Sequence, residues 1–208
     1  RNIGRLVEQL RGKRLDVLVL ADGSSDNTSR LAREAGAEVL VNEKNMGKGA
    51  TLQRGFHHVR DRAYDAIITM DGDGQHAFED IGRFLALFSE KKPDIICGNR
   101  MADHKGMPFV RLATNRIMSW LISLVCRQKV EDSQCGYRLI RTEVLRDIKL
   151  SVSSFEIESE LLIKAAKKGY RIASVPIQTI YAGEKSRINP VRDTMRFIVY
   201  ILRELFSR

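Results

Sequence analysis

The segment Ala66-Ile67-Ile68-Thr69-Met70-Asp71-Gly72-Asp73-Gly74-Gln75-His76 decides how this chain is read. Its first half is apolar and rich in β-branched residues, the pattern of a buried strand. Its second half places two carboxylates one residue apart on a loop freed by Gly72 and Gly74. Such carboxylates have two readings: helix-capping or solvated loop residues, or ligands to one divalent cation. Gln75 adds a neutral oxygen donor, and Mg²⁺ or Mn²⁺ takes hard oxygen ligands while leaving positions for substrate phosphates. In open α/β sheets, ligands bind beyond the carboxyl ends of the strands. The segment is therefore read as the holder of a metal-bound diphosphate.

The same strand-then-polar-turn pattern recurs on both sides. Residues 2–11 are predicted to form a helix with Ile3, Leu6, Val7 and Leu10 on one stripe, and residues 15–20 a buried strand. After the turn Asp22-Gly23-Ser24-Ser25-Asp26-Asn27 come a helix to residue 35, a strand over 38–41 and a helix ending near 60. Downstream of the carboxylate loop, the pattern predicts a helix over 78–89 and a strand over 94–98. Alternation of this kind specifies a mainly parallel sheet with helices on both faces. The second half reads as helices over 110–126 and 155–168, strand material over 171–181 broken by Pro176, and a last helix from Pro190 to 206.

At 208 residues, with no repeat or linker, the chain reads as one domain able to bury a full core. The formal net charge of +9 points to an anionic partner: nucleotide, phosphate, nucleic acid or an acidic membrane surface. Three cysteines without a CxxC suggest neither a disulfide framework nor a zinc site, and a reducing, cytoplasmic compartment is expected. No signal peptide is visible, and no uninterrupted apolar run reaches the ~18 residues of a transmembrane segment.

Other stretches carry chemistry-bearing residues. Asp22 reads either as part of a capping turn or as an acceptor for a base or ribose beside a helix N-terminus that favours phosphate. Gly47-Lys48-Gly49 is either a plain loop or an anion cradle, and it is not a Walker loop. In Asp132-Ser133-Gln134-Cys135-Gly136-Tyr137-Arg138, a nucleophilic Cys135 would need a histidine base that no pattern assigns. Asp132 as acceptor for a substrate hydroxyl, and Arg138 as a phosphate or structural partner, fit better. Gly183-Glu184-Lys185-Ser186-Arg187 is a solvated loop or a lid over an anion. The His57-His58 pair, inside a predicted helix, is structural or exposed.

In order and spacing these motifs resemble glycosyltransferase family 2, and within it the dolichol- or polyprenyl-phosphate mannosyl- and glucosyltransferases. The carrying stretches are ADGSSDNT (21–28), NMGKGATLQRG (45–55), TMDGDGQH (69–76), GNR (98–100), DSQCGYRLIRTEVL (132–145) and YAGEKSRINPVRDT (181–194), which span nearly the whole chain. The resemblance implies the α/β GT-A fold, Rossmann-like, in a single catalytic domain over 1–208. Residues 1–100 would form its nucleotide-sugar half and 101–208 its acceptor side. It also implies that Asp22, Gly23 and Lys48 contact the donor, and that Asp71, Asp73 and Gln75 hold Mg²⁺ or Mn²⁺ with the donor diphosphate. Asp73, Asp132 and Arg138 would be catalytic, with Asp132 near the transferred sugar. Arg100, Arg111, Lys185, Ser186 and Arg187 would bind acceptor or donor phosphates. Two departures stand out: Ala21 occupies the first position of an acidic pair usual in such enzymes, and the chain starts at the helix that normally follows a first strand. That first strand, with its nucleotide-binding turn, is expected to be missing.

The chemistry implied is inverting transfer of mannose or glucose from a GDP- or UDP-linked donor to polyprenyl or dolichyl phosphate. A lipid phosphate is already an anionic nucleophile, which suits a site without an obvious catalytic histidine; a saccharide hydroxyl acceptor would need a base, first of all Asp132. The rivals are a family 2 transferase building cell-surface glycan, a sugar-nucleotide pyrophosphorylase, and a basic nucleic-acid-binding module. Dispersed charges and 7% aromatics speak against the last, so no nucleic-acid partner is expected. The apolar, arginine-flanked stretches 117–125 and 195–206 suggest a peripheral site on the cytoplasmic face of an anionic membrane, with core packing as the competing reading.

Overall fold

The computed structural model describes residues 3–23, 26–103, 106–151, 156–178, 180 and 201. Their order is α1 (Ile3–Gly12), β1 (Leu18–Asp22), α2 (Thr28–Glu34), β2 (Glu38–Asn42), α3 (Lys48–Val59), β3 (Ala66–Thr69), α4 (Ile81–Lys91) and β4 (Ile95–Asn99). There follow α5 (Phe109–Cys126), β5 (Arg138–Arg141), α6 (Thr142–Asp147), α7 (Ile157–Lys167) and β6 (Ile172–Pro176). Short 3₁₀ turns, Phe78–Asp80 and Arg100–Ala102, lead into α4 and out of β4.

Alternating side chains explain the layers. On β4 and β5, Ile95, Cys97 and Ile140 face one way, into a core built with Phe56 of α3, Ile122 and Cys126 of α5, Val144 of α6 and Leu162 of α7. Ile96 and Leu139 face the other way and pack with Tyr137, Val175 and the Ile81 and Phe84 of α4. Both faces of the sheet are thus covered, as the nearly continuous apolar runs require. Ile95, Ile96 and Ile140 are essentially inaccessible, and each such side chain contributes about 1.5–3 kcal/mol of burial. A third cluster seats α1 and α2 through Val7 and Ala32 against Val17, Val19 and Val39. The cores do not divide by halves of the chain: Leu18 and Phe56 pack in the same cluster as Ile122 and Leu162.

The topology is α/β with helices on both sides, as expected, with one reversal. Strand order is β1-β2 in one sheet and β3-β5-β4-β6 in the other. β1 and β2 run parallel, as do β4 and β6, whereas β5 lies antiparallel between β3 and β4. The sequence reading missed β5 and α6, taking 132–138 as a turn, because four residues with arginine at both ends lack the signature of a central strand. Among the described residues β1 pairs only with β2 and β3 only with β5, so each keeps one unpaired edge. Of the expected last helix over 190–206, only Ile201 is described; it is helical and buried in the main core.

Candidate active site

β3 and β4 end at one rim of the larger sheet, and antiparallel β5 begins there, with Arg138 in register with both Thr69 and Cys97. The loops at 70–77, 98–102 and 132–137 therefore meet beyond that row. The Thr69 hydroxyl ties two of them by donating to the Gly136 carbonyl at 2.8 Å.

In the smaller sheet, Asp22 and Asn42 are register partners at the ends of β1 and β2. Asp22 Oδ1 accepts from Met46 N at 2.7 Å and Asn42 Nδ2 at 2.9 Å, while Oδ2 accepts from Gly47 N at 2.8 Å. Burial pushes this carboxyl upward, but the donors from Met46, Asn42, Thr51 and Gly47 outweigh that and hold it below its ordinary value. Gly23 beside it has φ +66°, and a Cβ there would lie 2.5 Å from Asn45 N, so only glycine fits this close approach. Asp22 thus shapes the 45–47 loop, which delivers Lys48 at the first turn of α3. At the start of α2, Thr28 N donates to Asp26 Oδ1 at 3.0 Å, while the N-cap residue Asn27 makes no side-chain cap bond.

Lys48 joins the two sheets. Its Nζ lies 2.9 Å from Asp71 Oδ1 and 2.9 Å from Glu158 Oε1 in the first turn of α7. Burial acts to lower the lysine pKa, yet Glu158 and Asp71 together raise it, so the ammonium stays charged. Burial likewise acts to raise Asp71, and Lys48 then His76 hold it below the usual carboxylate range. His76 is nearly buried and stacks on Tyr137 at 4.9 Å between ring centroids. Its Nδ1 accepts from Asp71 N at 3.1 Å, which leaves the proton of the neutral ring on Nε2, 4.0 Å from Asp71 Oδ2. Burial is the main reason its pKa is lowered, so the ring is uncharged at neutral pH. Gly136 makes the cluster possible: a Cβ there would stand 2.7 Å from Asp71 Oδ2 and 3.0 Å from Glu158 Oε1.

Asp73 is exposed, and its Oδ1 accepts from Gln75 N at 2.9 Å. Asp71 and Asp73 lie on one loop at the rim, with Asp71 Oδ2 4.0 Å from His76 Nε2 and the Asp73 side chain exposed. No group of three or more His, Cys, Asp and Glu converges among the described residues. A pair of carboxylates is nonetheless the usual protein share for Mg²⁺, which completes its shell with water and phosphate, so the donor set fits a divalent cation.

Beneath the rim, the acids and arginines are locked together. Asp132 is 0% exposed; Arg100 donates to it from Nε at 2.7 Å and from a terminal nitrogen at 2.9 Å, and its backbone N adds a third bond at 3.2 Å. Arg138, 2% exposed, donates to the carbonyls of Cys135, Glu158 and Ser133 at 2.8, 2.6 and 2.7 Å. Asp132 and Arg100 thus pair with each other, and Arg138 takes the structural one of the two partnerships expected of it. The cause is burial, since a charge inside must be paired there. Cys135 is inaccessible and burial pushes its thiol up to about 12, which removes it as a nucleophile. Arg111 lies half-buried on α5, and Lys185, Ser186 and Arg187 fall outside the described residues. Glu158 was not singled out from the sequence. It sits in an ordinary helical pattern, and only its spacing as the second acid of Phe155-Glu156-Ile157-Glu158-Ser159-Glu160 marks it.

Comparison with known proteins places this arrangement. Residues 1–149 match the family model described as glycosyl transferase family 2. The chain is 31% identical over 187 residues to a dolichyl-phosphate hexose transferase of Haloferax volcanii, covering 88% of this chain and 78% of the relative. It is 32% identical over 175 residues to an undecaprenyl-phosphate mannosyltransferase of Micrococcus luteus, covering 78% and 70%. Among solved structures, glucosyl-3-phosphoglycerate synthase from Mycobacterium tuberculosis, in complex with Mn²⁺, UDP and glucosyl-3-phosphoglycerate, superposes with a TM-score of 0.68 at 16% identity, covering 99% of this chain and 76% of that one. That likeness establishes the GT-A fold.

Proposed function

Since the chain belongs to glycosyltransferase family 2, we propose that it moves a hexose from a nucleotide-sugar donor to a polyprenyl or dolichyl phosphate, with inversion at the anomeric carbon. The observation that carries this reading is the rim where Lys48, Asp71 and Glu158 join the ends of both sheets, with Asp73 open beside them. The relatives that transfer hexose or mannose to lipid phosphates support the acceptor class. We assign 1–208 to one catalytic unit, with the donor at the rim of its first half.

Asp71 and Asp73, with Gln75 as a neutral neighbour, would hold Mg²⁺ or Mn²⁺. When bound, that ion would stabilise charge on the departing diphosphate. The chain's own residues do the rest. Asp22 fixes the 45–47 loop, so the Lys48 ammonium stands at the rim, where it can stabilise charge on the leaving nucleoside diphosphate. Glu158 holds Lys48 against Asp71 and is a positioning residue. Arg100 with Asp132, and Arg138 with its three carbonyls, build the rigid floor that sets these groups. An oxygen of the acceptor phosphate attacks the anomeric carbon as the bond from that carbon to the diphosphate oxygen breaks. The nucleophile is already anionic, so no proton has to be removed, which agrees with a neutral, stacked His76 and a buried Cys135. Lys185, Ser186 and Arg187 remain assigned to phosphate binding through their motif.

The test is transfer from GDP-mannose, UDP-glucose and UDP-N-acetylglucosamine to a polyprenyl phosphate, with Mg²⁺ or Mn²⁺ supplied. We expect one donor to give a cation-dependent lipid-linked sugar. Absence of product from every donor, with folded protein, would overturn the reading.

A further inference from the structure

A buried acid outside the donor site ties the carboxylate loop to a distant stretch of chain. Asp80 closes the 3₁₀ turn before α4, a place where aspartate ordinarily caps the helix. Its side chain makes no capping bond to α4. It is 2% exposed, and its Oδ2 accepts from Gln178 N at 2.7 Å, 98 positions further along the chain. Its Oδ1 meets Arg83 Nη1 at 3.0 Å, and the same nitrogen donates to the Pro176 carbonyl at 2.9 Å. A carboxylate taken out of water costs stability unless it is bonded. Both oxygens of this one, directly or through Arg83, grip the chain as it leaves β6.

That chain continues onto the rim. Ile177 N donates at 3.2 Å to the carbonyl of Asn99 at the end of β4, and buried Ile177 packs with Ile81 and Phe84 of α4. Ile180 N then donates to the Gln75 carbonyl at 3.0 Å. Gln75 is thus held from outside its own loop, and its N–H in turn donates to Asp73 Oδ1 at 2.9 Å. No atom of the described residues stands within 4 Å of a Cβ placed at Gly72 or Gly74. The stretch carrying Asp73 is therefore shaped by hydrogen bonds and not by packing.

We propose that Asp80 and Arg83 are positioning residues of the carboxylate loop. By fixing residues 176–178 against α4 they set Ile180 on Gln75, and through Gln75 they orient the Asp73 carboxylate. Asp80 and Arg83 touch neither cation nor donor; they act through the backbone of Gln75. Their part in cation binding rests on the function proposed above, whereas the mechanical link between the two stretches stands without it.

Two measurements separate these parts. In the full chain without cation or donor, Asp80→Ala should speed amide hydrogen exchange at Asp71 and Gln75 at least tenfold, as well as at Gln178 and Ile180, while Ile95 and Ile140 in the core keep their protection. Arg83→Met, at a half-exposed position, should act in the same direction to a smaller degree, and it carries the test if Asp80→Ala does not fold. Asp80→Asn keeps an oxygen for Gln178 N and should stay near the wild-type rates. Mn²⁺, titrated with UDP or GDP and followed by the paramagnetic resonance of the free ion, should bind about tenfold more weakly to Asp80→Ala, the scale on which residues supporting metal ligands act. Faster exchange confined to 176–180, with Asp71 and Gln75 unchanged, would make Asp80 a local structural residue and overturn the proposal. Equal Mn²⁺ affinity in wild type and Asp80→Ala would overturn it too. A wild type that binds no Mn²⁺, with a loop that still loosens in Asp80→Ala, would uphold the positioning role and overturn the cation reading instead.

Discussion

The rim at the strand ends and the floor beneath it use the same residue types to opposite ends. On the rim, Lys48, Asp71 and Asp73 are partly or fully exposed, and some of their donor and acceptor atoms face solvent. On the floor, Arg100, Asp132 and Arg138 are buried and bonded to the protein on every nitrogen and oxygen that the packing brings close. Charge in the floor serves geometry, and charge on the rim is left for a ligand. Substitutions should therefore separate stability from activity along this line.

The largest effect is expected from Asp132→Ala, which strands the Arg100 guanidinium in the interior and should cost about 3–5 kcal/mol of stability. Urea unfolding measures it, and an unchanged midpoint would erase the distinction between floor and rim. Asp71→Asn should lower transfer by about a hundredfold, or about 2.7 kcal/mol of transition-state stabilisation, with a nearly native melting curve. If it unfolds the chain instead, Asp71 belongs with the floor. Asp22→Ala falls between the two: it removes the acceptor for two backbone N–H groups and should cost about 2 kcal/mol while raising KM for the donor more than it lowers kcat. Asp73→Ala should change stability by no more than about 0.5 kcal/mol, as an exposed loop residue does, while abolishing the cation dependence of transfer.

The smallest effect concerns the smaller sheet, where Glu38 on β2 accepts from Arg62 at 2.6 and 2.8 Å and meets His58 at 2.6 Å. The Arg62 hydrogen bonds, against a smaller opposing effect of burial, lower the Glu38 carboxyl from 4.5 to about 2. A depressed carboxylate stabilises above its unfolded pKa, so this contribution is full above 4.5 and fades as pH falls through about 2. Because the pair is largely exposed, the effect is modest; Glu38→Gln should flatten that part of the acid unfolding curve.

Much of the fold is legible in the sequence because its strands are short β-branched runs ended by glycine or acid, as in Ile67-Ile68 before Asp71-Gly72. The rim residues are legible for the same reason, since they follow strands directly. β5 is not, because Arg138-Leu139-Ile140-Arg141 resembles a surface turn until Arg138 is seen to be buried. Nor is its antiparallel insertion between β3 and β4, which depends on pairings between residues 41 to 75 positions apart in the chain. The burial of Asp132 and Arg138 is not legible either, because charged residues in a turn signal exposure, and only packing shows Asp132 paired with Arg100 and Arg138 held by three carbonyls. Glu158 was missed because a carboxylate within a helix carries no local mark of the lysine it meets.

Arg138 has a consequence in time. It is the first residue of β5, in register with Thr69 and Cys97, and its guanidinium also ties the carbonyls of Ser133, Cys135 and Glu158. The turn before β5 cannot open without also breaking a central strand, so it has no cheap local fluctuation. Amide protons of Gly136 to Ile140 should therefore exchange with solvent at the rate of global unfolding, whereas those of Met46 and Gly47, held by the side chains of Asp22 and Asn45, should exchange by local opening. The floor then keeps its shape over the lifetime of the folded protein, while the 45–47 loop is renewed many times within that span.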